Sequence, residues 1–186
     1  MGFLTPFFHP TDSRWQGPQK ALLWLSLVKS IILIAFIVLA IVEIRLWDKW
    51  SGQEYDDLEY YGDSFFLRFG VSTFPELVYT IYSLWAISAS KFHPVTAISC
   101  STIMFCLWTS GAFLMIFLAM SSELMYEMNY AWERLCYGEG GLMLAIAALY
   151  IAMMVFSGIA VHRWRAEKRK ETYGLARMGS DASERA

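Results

Sequence analysis

Apolar residues in this chain fall into four long runs, separated by stretches rich in charge and aromatic residues. The runs extend from Ala21 to Leu46, Phe74 to Phe92, Val95 to Met120 and Gly141 to Val161. A helix needs about 20 mainly apolar residues to cross a bilayer's hydrocarbon core. The pattern therefore predicts an all-α integral membrane protein, a four-transmembrane-helix antiparallel bundle. The third run has no charged residue between Lys91 and Glu123. The first contains Lys29, with Glu43 and Arg45 near its other end. Long side chains close to a helix end can reach the headgroups, so these three are expected to snorkel while Ser30 to Val42 stays in hydrocarbon.

Basic residues mark the side that stays in the cytoplasm. Arg14, Lys20 and Lys29 precede or open the first run, Lys91 sits in the second connection, and Arg163, Arg165, Lys168, Arg169 and Lys170 follow the fourth. Asp48, Glu54, Asp56, Asp57, Glu59 and Asp63 occupy the first connection, and Glu123, Glu127, Glu133 and Glu139 the third. Both termini are thus expected in the cytoplasm, with two acidic loops outside. The net charge of −2 conceals this segregation. The organisation that follows is a cytoplasmic segment 1–20, a membrane bundle 21–161 with outer loops 47–73 and 121–140, and a tail 162–186. With 186 residues, one bundle uses most of the chain and no separate soluble catalytic domain fits. Residues 1–18 do not read as a cleaved signal, so the first span is expected to act as a signal anchor. Met1-Gly2-Phe3-Leu4-Thr5-Pro6 has Pro6 where a myristoylation site wants Ser or Thr.

Local patterns refine the connections. Thr73-Phe74-Pro75-Glu76 fits a capping box with proline in the first turn, which places Glu76 at the outer boundary as a cap. In the third connection, Met125, Met128, Trp132 and Leu135 fall on one helical face, and Glu123, Glu127, Tyr130 and Arg134 on the other. The third helix is expected to continue outward as an amphipathic rod, ended by Tyr137-Gly138-Glu139-Gly140-Gly141. Within the spans, Gly141, Ala145, Ala148 and Ala152 form one small-residue stripe, and Thr102, Cys106 and Ser110 another. Such stripes let helices approach closely. They serve either packing between the third and fourth helices or self-association. Beyond the fourth span, Arg163 to Lys170 form a basic cluster suited to anionic inner-leaflet lipid, and Glu171 to Ala186 reads as disordered.

Candidate chemistry is sparse. His9, His93 and His162 lack metal-binding spacing, so no haem, zinc or other cofactor is expected. No phosphate loop, nucleophile elbow or zinc-protease motif occurs, and no catalytic residues are assigned. Asn129 is followed by Tyr-Ala and is no glycosylation acceptor. Cys100 and Cys106 lie within the third span while Cys136 precedes the fourth, depths too different for a disulfide.

The short start, the span from Lys20 to Leu46, the acidic loops, the Lys91-Phe92-His93-Pro94 turn, and a fourth span entered through Cys136 and left through His162-Arg163-Trp164-Arg165 resemble a MARVEL-type four-helix protein, of the small fungal kind. The chain lacks the paired loop cysteines of claudins and the Cys-Cys-Gly of tetraspanins. The resemblance implies a non-enzymatic, multi-pass protein of the plasma membrane or secretory pathway that organises membrane domains, apposes membranes or serves vesicle traffic. Expected partners are membrane lipids and either further copies of itself or another membrane protein, with no nucleic acid. An accessory subunit of a larger transporter, channel or enzyme complex is the alternative. A small transporter using Glu76 comes third, since the spans offer that carboxylate no acidic or histidine partner.

Overall fold

The computed structural model describes residues 15, 18–54, 66–89, 91–125 and 130–183. Those residues are almost entirely helical and contain no strand; Ala89 and Lys91 to His93 form a turn. Helix α1 spans Pro18–Glu54, α2 Phe74–Ser88, α3 Pro94–Met125 and α4 Tyr130–Ser183. A π-helix, Phe66–Thr73, runs directly into α2. Three stretches are long and apolar enough to cross a membrane: Lys20–Glu43, Pro94–Met120 and Tyr130–Lys170. Helix α2 alone has 15 residues, short of a full crossing, and gains its length from the π-helix before it.

Face by face, these helices are apolar outside and more polar inside. On α1 the buried stripe is Leu22, Lys29, Leu33, Phe36, Ala40 and Glu43. Trp24, Leu27, Ile31, Ile34, Val38 and Ile41 point outward and are exposed. A helix of a water-soluble protein reverses this arrangement, and one that is apolar all round needs lipid or protein on every side. Phe113 and Phe117 on α3 and Ile151 and Val155 on α4 continue the apolar exterior. The distribution is compatible with an integral membrane protein.

The most extensive interface lies between α3 and α4, and the next between α1 and α4. Helix α2 packs on the π-helix and α3, and hardly approaches α1 directly. The core is filled by Phe36, Trp108, Met115, Met143, Ile146 and Tyr150.

Several element boundaries differ from those read in the sequence. Helix α1 extends to Glu54 and the π-helix begins at Phe66, so both flanks of the first loop are helical; residues 55–65 lie outside the described region. The second run ends as helix at Ser88, not Phe92, where Ala89 N–H donates to Trp85 O and Lys91 N–H to Ala86 O. The next helix starts at Pro94, where His93 Nδ1 accepts from Val95 N–H at 3.3 Å. Helix α3 is described as far as Met125; residues 126–129, with Glu127 and Met128 of the expected amphipathic rod, lie outside the described residues, and Trp132 and Leu135 belong to α4. The tail expected to be disordered is helical as far as Ser183.

Nor does the glycine cluster break the fourth helix. Helix α4 passes through Gly138, Gly140 and Gly141, and two of these glycines serve close approach instead of a turn. A Cβ on Gly140 would meet Ile116 Cγ1 at 2.9 Å, and one on Gly138 would meet Leu39 Cδ2 at 3.2 Å. Gly141 faces open space. Gly140→Leu is therefore expected to destabilise the bundle by about 1–3 kcal/mol through overpacking. Gly141→Leu should leave stability within about 0.5 kcal/mol, as for a surface change. Denaturant titration in mixed micelles checks the contrast, and equal effects would count against the packing described here.

Candidate functional site

Two charged residues expected at the membrane edges are instead buried inside the bundle and face each other. Lys29, which is 1% exposed, does not snorkel; Glu76, 0% exposed, is not a helix cap. Their side chains pair, Lys29 Nζ to Glu76 Oε1 at 2.5 Å. Thr73 fails as a capping residue because the π-helix leads straight into α2. Its backbone is already helical, at φ −73° and ψ −41°, and its hydroxyl makes no capping bond. Glu76 is thereby held inside a continuing helix, on the face that also carries Ser72, Thr73, Tyr79 and Ala86.

Four donors close around the carboxylate. Beside Lys29, Tyr150 Oη donates to Glu76 Oε2 at 2.6 Å and Trp108 Nε1 to the same oxygen at 2.9 Å. Thr80 Oγ1 donates to Oε1 at 3.3 Å. Lys29 Nζ also donates to Tyr150 Oη at 3.0 Å, so the phenol accepts from the ammonium and donates to the carboxylate. The ammonium lies 4.8 Å from the Tyr150 ring centroid and 5.4 Å from that of Tyr79, close enough for cation–π attraction. Tyr79 Oη and Ser101 Oγ are 3.4 Å apart. Every helix thus contributes: Lys29 from α1, Glu76, Tyr79 and Thr80 from α2, Ser101 and Trp108 from α3, and Tyr150 from α4.

Depth gives the cluster its significance. Trp108 adjoins the middle of Pro94–Met120, and Lys29 is less than a turn from the middle of Lys20–Glu43. A charge at that level is costly in hydrocarbon, and such residues ordinarily pair and face the bundle interior. Here pairing and hydrogen bonding supply the compensation that a buried ion pair requires.

A second polar group lies towards the acidic end. Glu43, only 3% exposed, accepts a hydrogen bond from Trp132 Nε1, so it too turns inward instead of snorkelling, while Arg45 is exposed. Glu139 and Cys136 are buried on the same face of α4. The three cysteines are thiols, and Cys106 is exposed. At the basic end, Trp15 stacks on Phe92 at 5.2 Å and donates from Nε1 to Phe92 O at 2.9 Å. His93 meets Trp164 edge-on at 5.1 Å, and Lys168 lies 5.6 Å from the Trp164 ring. The turn between α2 and α3 is thereby clasped by residues from both terminal segments.

The small-residue stripes are not what joins α3 to α4. Thr102, Cys106 and Ser110 are exposed, as are Gly141 and Ala148, while Ala145 and Ala152 are half-buried. The buried faces carry Ser101, Met104, Trp108, Ala112 and Met115 on α3, and Gly140, Met143, Ala147, Tyr150 and Met153 on α4, and they come together where Gly140 approaches Ala112 and Ile116 and Met143 approaches Gly111. Thr102 reaches across the edge of the interface, donating to Met154 Sδ at 3.3 Å. Arg163, Arg165, Lys168, Arg169 and Lys170 are all exposed on the continuing α4, a collar of positive charge beyond the apolar stretch.

Trp108 and Tyr150 carry the site beside Lys29 and Glu76, and composition and spacing did not single them out. The legible signal was on α1. Leu22, Lys29, Phe36 and Glu43 recur every seven residues, which puts both charges on the stripe that faces neighbouring helices. Among the described residues no group of three or more His, Cys, Asp or Glu side chains is placed to hold a metal. No protein-family model matches the chain, and no curated protein and no solved structure matches it.

Proposed function

We propose that this protein is a non-enzymatic, four-span membrane protein, MARVEL-like in layout, that organises membrane domains by associating laterally with copies of itself. The observation that carries the reading is the outward direction of the small-residue stripes. Packing within the bundle leaves Thr102, Cys106 and Ser110 on α3 and Gly141 and Ala148 on α4 accessible from the surrounding membrane. Small side chains let a second helix approach closely in lipid, where van der Waals contact replaces the hydrophobic effect as the driving force. The Lys29–Glu76 cluster supports this use by fastening all four helices into one body that can present a fixed surface.

In this reading the π-helix and α2 complete the second crossing. Both termini lie in the cytoplasm, in the plasma membrane or a secretory-pathway membrane, and the Arg163–Lys170 collar holds anionic lipid of the inner leaflet. Each basic residue near such a surface contributes about 1 kcal/mol.

Single-molecule counting in supported bilayers tests the central claim. The wild-type chain is expected to form dimers or larger assemblies at low protein-to-lipid ratio, and Gly141→Leu combined with Ala148→Leu to shift it to monomer without loss of folding. A wild-type protein that stays monomeric sinks the reading. Recovery from native membranes with a stoichiometric different partner, bound to the same stripe, would replace it with the accessory-subunit role.

A further inference from the structure

We infer that the Lys29–Glu76 pair is a proton-transfer site, set within a file of buried hydroxyl groups that passes protons between the acidic and basic ends of the bundle. The inference goes beyond lateral association and does not depend on it.

A fastening alone does not need charge. Apolar side chains of similar volume join helices at least as well as a buried ion pair, and ionisable groups held at mid-depth in a membrane ordinarily mark a route for ions or protons. What surrounds this pair matches the second use. Towards the acidic end, Thr73 sits one helical turn from Glu76 on the same face, with Ser72 beside it, both buried. Ser72 Oγ lies 3.3 Å from where a Gly111 Cβ would stand, so the file runs along α3 too, where the Thr109 hydroxyl is also buried. Towards the basic end, Tyr79 meets Ser101 at 3.4 Å, and Ser157 lies buried two turns beyond Tyr150 on α4. The hydroxyls of Thr73, Thr109 and Ser157 find no hydrogen-bond partner among the described residues. Buried hydroxyls of that kind are where internal water binds, and they extend on each side of the Lys29–Glu76 contact.

Connectivity inside the cluster permits the step. Tyr150 Oη accepts from Lys29 and donates to Glu76, which gives a second route beside the direct contact. The titratable groups that face the pair are Tyr79 from α2 and Tyr150 from α4, with Cys100 of α3 near Tyr79; Trp108 supplies a fixed donor. The resting state is carboxylate and ammonium. A proton arriving past Thr73 binds Glu76, which becomes a neutral acid and releases its hold on Lys29. The ammonium then loses one proton towards Tyr79 and Ser101 and becomes a neutral amine. Transfer of the carboxyl proton to that amine, directly or through Tyr150, restores carboxylate and ammonium. One proton has entered, one has left, and no other species is consumed.

The test uses the full chain in neutral-phospholipid vesicles with a trapped pH-sensitive dye, an imposed pH gradient, and potassium with valinomycin to clamp the potential. Wild-type vesicles should equilibrate pH at least several-fold faster than protein-free ones, and E76Q should fall to the protein-free rate. Because E76Q leaves Lys29 buried without its partner, folding of this variant must be checked separately, and K29M/E76M removes both charges together. Folded K29M/E76M is expected to conduct nothing, and T73V and S157A each to slow the flux at unchanged folding and oligomeric state. Wild-type flux equal to protein-free vesicles overturns the inference. So does wild-type flux through folded K29M/E76M, or flux indifferent to both T73V and S157A.

Discussion

Lys29→Met alone is expected to destabilise the bundle by about 3–5 kcal/mol, and Lys29→Met together with Glu76→Met by far less. The single change leaves a carboxylate buried among groups chosen to surround an ion pair, and its negative charge has no cation to offset it. Trp108, Tyr150 and Thr80 still donate to it, but hydrogen bonds from neutral groups do not replace an ammonium at 2.5 Å. The double change removes both desolvation costs and fills similar volume with a flexible apolar side chain. Unfolding by denaturant in mixed micelles for the wild type, both single variants and the double variant gives the coupling energy directly. Additive effects would show that the two residues do not act as a pair, and the account of the site would fail. The cycle also reports on what holds α1 to α2, since their backbones hardly approach and Lys29 reaches both Glu76 and the Tyr79 ring across the gap.

Much of the architecture was legible because hydropathy reports length and lipid exposure, and these are properties of a whole run. The helical runs around Ile31, Ile103 and Ile151 and the turn before Pro94 needed no knowledge of packing. Rotation about each helix axis was not legible in the same way. In a run of Ala, Ser, Gly and Thr, several stripes satisfy small-residue spacing, and adjacent choices differ by one residue, or about 100°. Gly140 and Ala147 face inward where Gly141 and Ala148 were expected to, and Ser101 does so in place of Thr102. The chosen stripe had no bulky residue in it. The buried faces carry large residues instead: Trp108 and Tyr150 close around the ion pair and Met143 packs near Gly111, so small-residue spacing does not mark this side.

The charges misled for a related reason. Position along a run assigns Lys29 to the near end and Glu76 to the boundary, because the cheapest fate for a lone charge is the headgroup layer. That holds for a charge with no partner. Once Lys29 and Glu76 are allowed to meet, each lowers the other's cost, and the seven-residue recurrence of Leu22, Lys29, Phe36 and Glu43 shows that α1 turns its charges towards its neighbours. Glu43, held by Trp132, repeats the lesson near the acidic end. Tyr150 and Trp108 gave no sequence signal beyond being aromatic residues in apolar runs, since only the fold reveals that their polar atoms point at one carboxylate.

Trp108→Ala is expected to be at least as damaging as the loss of Lys29, for a different reason. Trp108 is fully buried at the centre of α3 and packs edge-on against Phe36 of α1, with ring centroids 5.5 Å apart and planes at 87°. Removing its side chain opens a cavity that costs about 3–5 kcal/mol for large aromatic groups. It also withdraws the Nε1 donor from Glu76, a hydrogen bond to a charged group worth about 1.5–3 kcal/mol. Trp108→Phe separates the two terms, because it keeps most of the ring volume and loses only the donor. Denaturant titration should place the phenylalanine variant about 2 kcal/mol below wild type and the alanine variant well below that. Equal losses in the two would mean that cavity volume contributes nothing and the donor everything, a result incompatible with a core filled by large side chains. A phenylalanine variant as stable as wild type would instead remove Trp108 from the carboxylate's support and leave Lys29, Tyr150 and Thr80 to hold Glu76 alone.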